Sequence, residues 1–238
     1  MPFQTSVNAN PAPGLEGGWA SGNPRFSLLT PGNGDPALQT YAAWTAGPSG
    51  VIVGRFGWAN TATGVVTSAH PGVSTVRNGF VHRYHPVVIT TWLGETSMLL
   101  TAGLEVDIMD SCDVWAKFAA GATVGQKVFQ SYADSSAIAG TAGSAPTATG
   151  VTVSMNNSVN LTAVAGGTLV PGQPVSGAGI PAGAYVVSVG SGTAVISAAT
   201  TGGAATGVAV TQTTAFETRW FVDSPAAAGD IAKISTRG

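Results

Sequence analysis

The sequence predicts an all-β fold: a β-barrel or jelly-roll-like body, a small β-sandwich module inserted into it, and an extended N-terminal arm. Three observations carry this. Short runs of Val, Ile, Phe, Trp and Thr recur along the chain, each bounded by Gly, Pro, Asn or Asp, which is the punctuation of strands and turns. Only 8% of the 238 residues are Asp, Glu, Lys or Arg, about a third of the usual share. Those few charges are unevenly placed, with none between Asp134 and Glu217.

The arm comes first. Residues 1–24 hold four prolines, with Phe3, Leu15 and Trp19 as isolated large apolar side chains. Proline fixes φ and holds its predecessor extended, so this segment reads as a strap that reaches at most roughly 80 Å. Phe3, Leu15 and Trp19 need somewhere to bury. A neighbouring subunit is one destination and their own domain is the other, and they are the candidate partner-contact residues.

The body follows over residues 25–140 and resumes over 215–238. "DPALQTYAAW" is the helical candidate, with Asp35 placed to cap it and Pro36 at the first helical position. "GVIVGRFGWAN", "TGVVTS", "GFVHR", "VVITTWL", "LEVDIM", "DVWAKF" and "QKVFQSYAD" read as strands. In "LEVDIM", Glu105, Asp107 and Met109 fall on one face of a strand and Val106 and Ile108 on the other. In "FETRWFV", Phe216, Thr218, Trp220 and Val222 share a face. "SPAAAGD" then turns the chain and "IAKIST" returns as a paired strand.

Residues 141–214 form the inserted module. The uncharged run from Ser135 to Phe216 is 82 residues long, and Tyr185 is its one aromatic before Phe216. "GAYVVSVGSGTAVIS" reads as a hairpin around a Gly-Ser-Gly turn, and "GVTVSM" and "GVAVTQ" as further strands. Five to seven short strands in a sandwich are expected, joined to the body at an exposed site where insertion costs little.

Candidate chemistry is sparse. His82 and His85 stand three apart, so in a strand they point to opposite faces, and Pro86 holds His85 extended. No Asp or Glu lies within nine residues of the pair. His70 sits in a turn, "SAHPG". Structural, hydrogen-bonding or interfacial roles are expected of the histidines. Asp107, Asp110 and Asp113 cluster, but the spacing, central Gly and closing Glu of a calcium loop are missing. The single Cys112 excludes an intramolecular disulfide and a cysteine zinc site, and Asp113 beside it disfavours a thiolate. Neither a nucleophile elbow nor a dinucleotide fingerprint has its required context. The expectation is no catalytic residue, no metal and no cofactor.

The nine Lys and Arg are scattered and the formal net charge is −2, which argues against nucleic-acid binding by phosphate neutralisation. The apolar runs are too short to span a membrane, and "MPFQTSVNANPAPG" lacks the cationic and apolar regions of a secretory signal.

Several phrases occur in a specific order: "VGRFGWAN", "GFVHR", "ITTWLGETSMLLTAGLEVDI", "CDVWAKFAAGATVGQKVFQSYAD" and "ETRWFVDSPAAAGDIAKIST". Together they resemble the structural cement, or head decoration, proteins of tailed bacteriophages, over approximately residues 8–139 and 215 to the end. The resemblance implies a non-enzymatic virion protein made in the host cytoplasm. It would sit on the outer surface of the head, bridge neighbouring copies of the major capsid protein, and act as a homotrimer. The matched segments would face the capsid, and the module would be an outward knob. The rival expectation is a tail- or head-associated adhesin that binds host-surface glycans through the inserted module.

Overall fold

A computed structural model describes residues 14–28, 43–83 and 98–237. Phe3, His85, the helical candidate up to Ala42 and the strand candidate "VVITTWL" lie outside those residues. No helix occurs among the described residues; all regular structure is strand.

The first eight strands are β1 (Phe26–Ser27), β2 (Thr45–Ala46), β3 (Val51–Ile52), β4 (Phe56–Asn60), β5 (Val65–Thr67), β6 (Val76–Val81), β7 (Leu99–Leu100) and β8 (Ile108–Ser111). Six of them make one sheet in the order β1-β8-β6-β4-β5-β2, while β3 and β7 pair separately. This sheet curls back on itself. Ala46 N–H donates to the Leu104 carbonyl and Val106 N–H to the Trp44 carbonyl, each at 2.8 Å. The segment leading into β8 therefore seals the β2 edge. Trp44, Val53, Val66, Val81, Val106 and Ile108 fill the space enclosed.

Next come β9 (Asp113–Lys117), β10 (Lys127–Ser131) and β11 (Ala137–Gly140), and after the module β18 (Ala215–Val222) and β19 (Ile231–Ser235). They form a second sheet in the order β11-β10-β18-β19-β9. It too closes, through a parallel bridge between Phe118 and Ala137. The two sheets pack through Phe56, Phe80 and Trp220, whose ring centroids lie 5.4–6.0 Å apart. These separations suit edge-to-face and tilted aromatic pairs.

On two strands burial departs from a simple inside–outside pattern. Met109, placed by alternation on a polar face with Asp107, is buried in the core between the sheets, while Ile108 points into the first barrel. The second sheet covers the face that Met109 occupies, so at Ile108 and Met109 β8 is buried on both sides. Phe216 is 40% exposed, whereas Thr218, Trp220 and Val222 are buried. The β10–β18 register shifts between Lys127↔Phe221 and Phe129↔Glu217. Two extra residues of β18 bulge there, an even number, so Phe216 keeps the parity of Trp220 and Val222 and is exposed by its place at the start of the strand, outside the core that holds them. Thr218 fills the bulge: its hydroxyl donates to the Val128 carbonyl at 2.6 Å and accepts from Trp220 N–H.

Six strands occupy residues 147–213: β12 (Thr147–Asn156), β13 (Asn160–Ala165), β14 (Val175–Ser176), β15 (Val186–Gly190), β16 (Thr193–Ile196) and β17 (Ala204–Thr213). The hairpin expected at "GAYVVSVGSGTAVIS" is β15–β16, with Gly190 paired to Thr193 across Ser191 and Gly192. The sheet order is β14-β17-β12-β13-β16-β15. Laid flat, the two ends would stand roughly 24 Å apart at strand spacing. Instead they touch: Pro174 bridges Tyr185, Val175 N–H donates to Ala184, and Val186 N–H donates to Gln173. The two walls of the expected sandwich are thus halves of one closed sheet around Val153, Leu161, Val186, Ile196 and Val210. The entering strand β12 and leaving strand β17 pair from Thr147↔Thr213 to Asn156↔Ala204, so the six strands hang from the second sheet on a two-strand stem.

Candidate functional site

The described part of the arm lies across the body and ties its two sheets together. Gly17 N–H donates to the Trp115 carbonyl at 2.8 Å, Trp115 N–H to Gly18 at 3.1 Å and Ala20 N–H to Asp113 at 3.0 Å. These bonds add the arm as an extra strand on the β9 edge. From the other sheet, Arg83 N–H donates to the Gly17 carbonyl at 2.9 Å. Gly17 has φ +78°, and a side chain there would press on Gly54. Glycine is needed because two backbones meet at this crossing.

The two described candidate contact residues have different surroundings. Leu15 is 67% exposed. Trp19 is half-buried, lies flat on the His82 imidazole with centroids 3.6 Å apart, and carries the Arg25 guanidinium 4.0 Å over its other side. His82 is buried, and among the described residues neither ring nitrogen has a hydrogen-bond partner. The Asp107 carboxylate comes within 3.4 Å of its Nδ1. Asp107 lies 25 positions from His82 in the sequence, and the fold brings the two together.

The three clustered aspartates diverge to separate partners. Asp107 faces His82. Asp110 accepts from Arg219 at 2.7 Å. Asp113 accepts from the Ser21 hydroxyl at 2.6 Å and the Asn23 amide at 2.5 Å, with the Lys233 ammonium 3.5 Å away. Burial works against its ionisation, but hydrogen bonds from Ser21, Asn23 and Ser235 and the charge of Lys233 outweigh it and hold the carboxyl below its ordinary range. Asp113 thus fastens the arm beyond Trp19. Cys112 is fully buried. Burial, reinforced by Asp113 and Asp107, pushes its thiol far up, so it is not a nucleophile here.

His70 occupies the junction between the body and the six-stranded barrel. Its Nδ1 accepts from Gly72 N–H at 3.0 Å, its ring stands edge-on to Trp58 at 4.5 Å, and Tyr132 lies 5.5 Å away. Gly172 of the barrel presses on the ring so closely that a Cβ there would overlap it. Burial lowers the His70 pKa to about 4, which keeps the imidazole neutral and its Nδ1 an acceptor.

A groove of about 690 Å³ opens between the arm turn and the β18–β19 loop, lined by Glu16, Trp115, Lys117, Pro225, Ala227 and Asp230. Burial pushes the Glu16 carboxyl above its usual value, against the pull of Lys117, Arg55 and Arg83. The arrangement offers strapped edges, aromatic stacking and a polar groove. No described cluster of His, Cys, Asp and Glu is placed to hold a metal ion.

A comparison with curated proteins finds no match. A protein-family model described as XM1 gp53 minor capsid protein matches residues 3–160, which is well over half of the chain.

Proposed function

This chain belongs to the XM1 gp53 minor capsid protein family, and from that premise we propose that it cements the phage head, binding its outer surface and bridging neighbouring major capsid subunits. Family membership makes it a structural protein of the phage capsid and places it in the virion. The cementing role, the outer surface, the major capsid protein as partner and a homotrimeric state are the finer reading.

The observation that best supports that reading is the arm. Its inner part is fastened through Gly17, Trp19 and Asp113, while Leu15 is left exposed. A strap fixed at one end can carry Phe3 and Leu15 to a neighbouring subunit with less loss of entropy than a free tail. Trp19 then acts by holding the strap. Residues 25–140 and 215–238 are the capsid-facing body in this reading, and 141–214 the outward knob, which its two-strand stem suits. A contact of roughly 1,200–2,000 Å² per copy is ordinary for a specific interface, and three copies joined would act together.

Mapping the chain in the assembled particle tests this. Copies spread over the head between capsid subunits are expected. Copies confined to the tail, or lying inside the shell, would refute the cementing role.

A further inference from the structure

The groove between the arm turn and the β18–β19 loop is not required for strapping the sheets together, yet it brings an aromatic ring, a cation and two carboxyl groups into one lining. Trp115 and Lys117 project from the outer face of β9, while Val114 and Ala116 between them and beside them are buried. Glu16 comes from the arm turn and Asp230 from the end of the β18–β19 loop. At about 690 Å³ the groove lies within the usual range for small-molecule sites, roughly 300–1,000 Å³. A carboxyl desolvated in a cleft next to a cation and an aromatic ring is the pattern of a binding site more than of a structural ion pair.

We propose that this groove binds an uncharged oligosaccharide, with a sugar ring against the Trp115 indole and hydroxyl groups donated to Glu16 and Asp230. The Trp115 indole is packed against Gly14 at its Nε1 edge and lines the groove with the rest of its half-buried ring, a flat apolar surface that suits the C–H face of a pyranose. The two carboxylates supply acceptors for hydroxyl or acetamido N–H donors, and Lys117 supplies a donor to ring and hydroxyl oxygens. The charged lining residues Glu16, Asp230 and Lys117 sum to one negative charge, which Arg55 and Arg83 near Glu16 offset, so no net positive field is left to favour acidic sugars over neutral ones. The open, shallow shape favours a stretch of a longer chain over a small molecule enclosed on all sides. The site lies on the body and not on the inserted barrel.

The test presents the intact protein to an array of neutral, N-acetylated and acidic oligosaccharides. Binding to neutral or N-acetylated members, with no preference for acidic ones, is expected. Asp230→Ala should weaken that binding at least tenfold. Ala227→Trp, at an exposed position on the groove wall, should abolish it by filling the space, with the melting temperature retained as a check on folding. The sugar array uses no phage heads, so its result stands whether or not the cementing role is right; if that role holds, both variants should occupy heads as the native chain does. The proposal is overturned if no neutral or N-acetylated sugar binds, if neither variant weakens binding, or if Ala227→Trp lowers head occupancy, which would make the groove a capsid contact.

Discussion

The indole of Trp19 lies on the imidazole of His82, with ring centroids 3.6 Å apart and planes inclined by 21°. A residue of the arm thereby caps a buried side chain of the first sheet, beside the crossing where Gly17 is bonded to both sheets. Trp19→Ala should cost about 2 kcal/mol, a partly buried version of an aromatic deletion. For a chain of this length that is a fall of roughly 4–8 °C in melting temperature. Cleavage of the arm by protease should accelerate in parallel. Unchanged melting and unchanged cleavage would show that the arm is held elsewhere.

Acid should weaken the fold through His70. Its pKa falls from an ordinary 6.5 to about 4 in the folded chain, so between those values the unfolded chain binds more protons. Stability from this group is complete above about pH 6.5 and declines as pH drops toward 4, by up to roughly 3 kcal/mol. His70→Gln retains an acceptor for Gly72 and removes the titration. Urea midpoints at pH 7.5 and 4.5 should differ less in this variant than in the native chain. Equal pH responses would mean that His70 is not the titrating group.

Gly172 should tolerate no side chain. It has φ +83° and faces the His70 ring, so Gly172→Ala adds backbone strain to a steric overlap. A loss of about 2–4 kcal/mol is expected, with the six-stranded barrel released from its second contact and swinging on the β12–β17 stem. Small-angle scattering should then give a larger maximum dimension, and an unchanged one would exclude the release.

Thr218 should matter more than its size suggests. Thr218→Val removes a hydroxyl that serves both the Val128 carbonyl and Trp220 N–H, leaving two buried groups unpaired at a cost of about 2–3 kcal/mol. Thr218→Ser should restore most of the urea midpoint. If the serine variant is as weak as the valine one, the lost methyl packing and not the hydrogen bonds is responsible.

Head binding, on the cementing reading, should respond little to salt. Raising NaCl from 0.1 to 1 M shortens the screening length from about 10 to about 3 Å, yet a chain with 8% charged residues has few exposed charges to screen. Occupancy on purified heads should fall by less than about twofold. Stripping by moderate NaCl alone would contradict binding by apolar and backbone contacts.

Much of the fold was legible in the sequence because its signals are local. Val186 to Gly190 and Thr193 to Ile196 are β-branched runs on either side of a glycine turn, and they pair as that pattern requires. The uncharged run likewise marks the stretch that contains the six-stranded barrel. What stayed hidden depends on contacts between distant segments. Asp107 meets His82 only because β8 pairs with β6. Met109 is buried because a second sheet covers a face that alternation alone would leave wet. Phe216 stays 40% exposed because the packing between the sheets that buries Trp220 and Val222 does not extend to the start of β18. The groove joins residues 16, 115 and 230, and no spacing rule connects those.

The closing of the sheets has a consequence for what the chain avoids. In the first sheet residues 104–106 take up the β2 edge and the other end is the two-residue β1. In the second the arm and the Phe118–Ala137 bridge take up the rim, and in the third Pro174 meets Tyr185. A long open rim would offer the next copy a ready ladder of amide and carbonyl groups, and each added copy would offer another. The product of that chemistry is a fibre. Where the ladders of the described strands are spent inside the molecule, main-chain stacking of copies at those rims is blocked. Contact between copies at those rims then falls to their side chains.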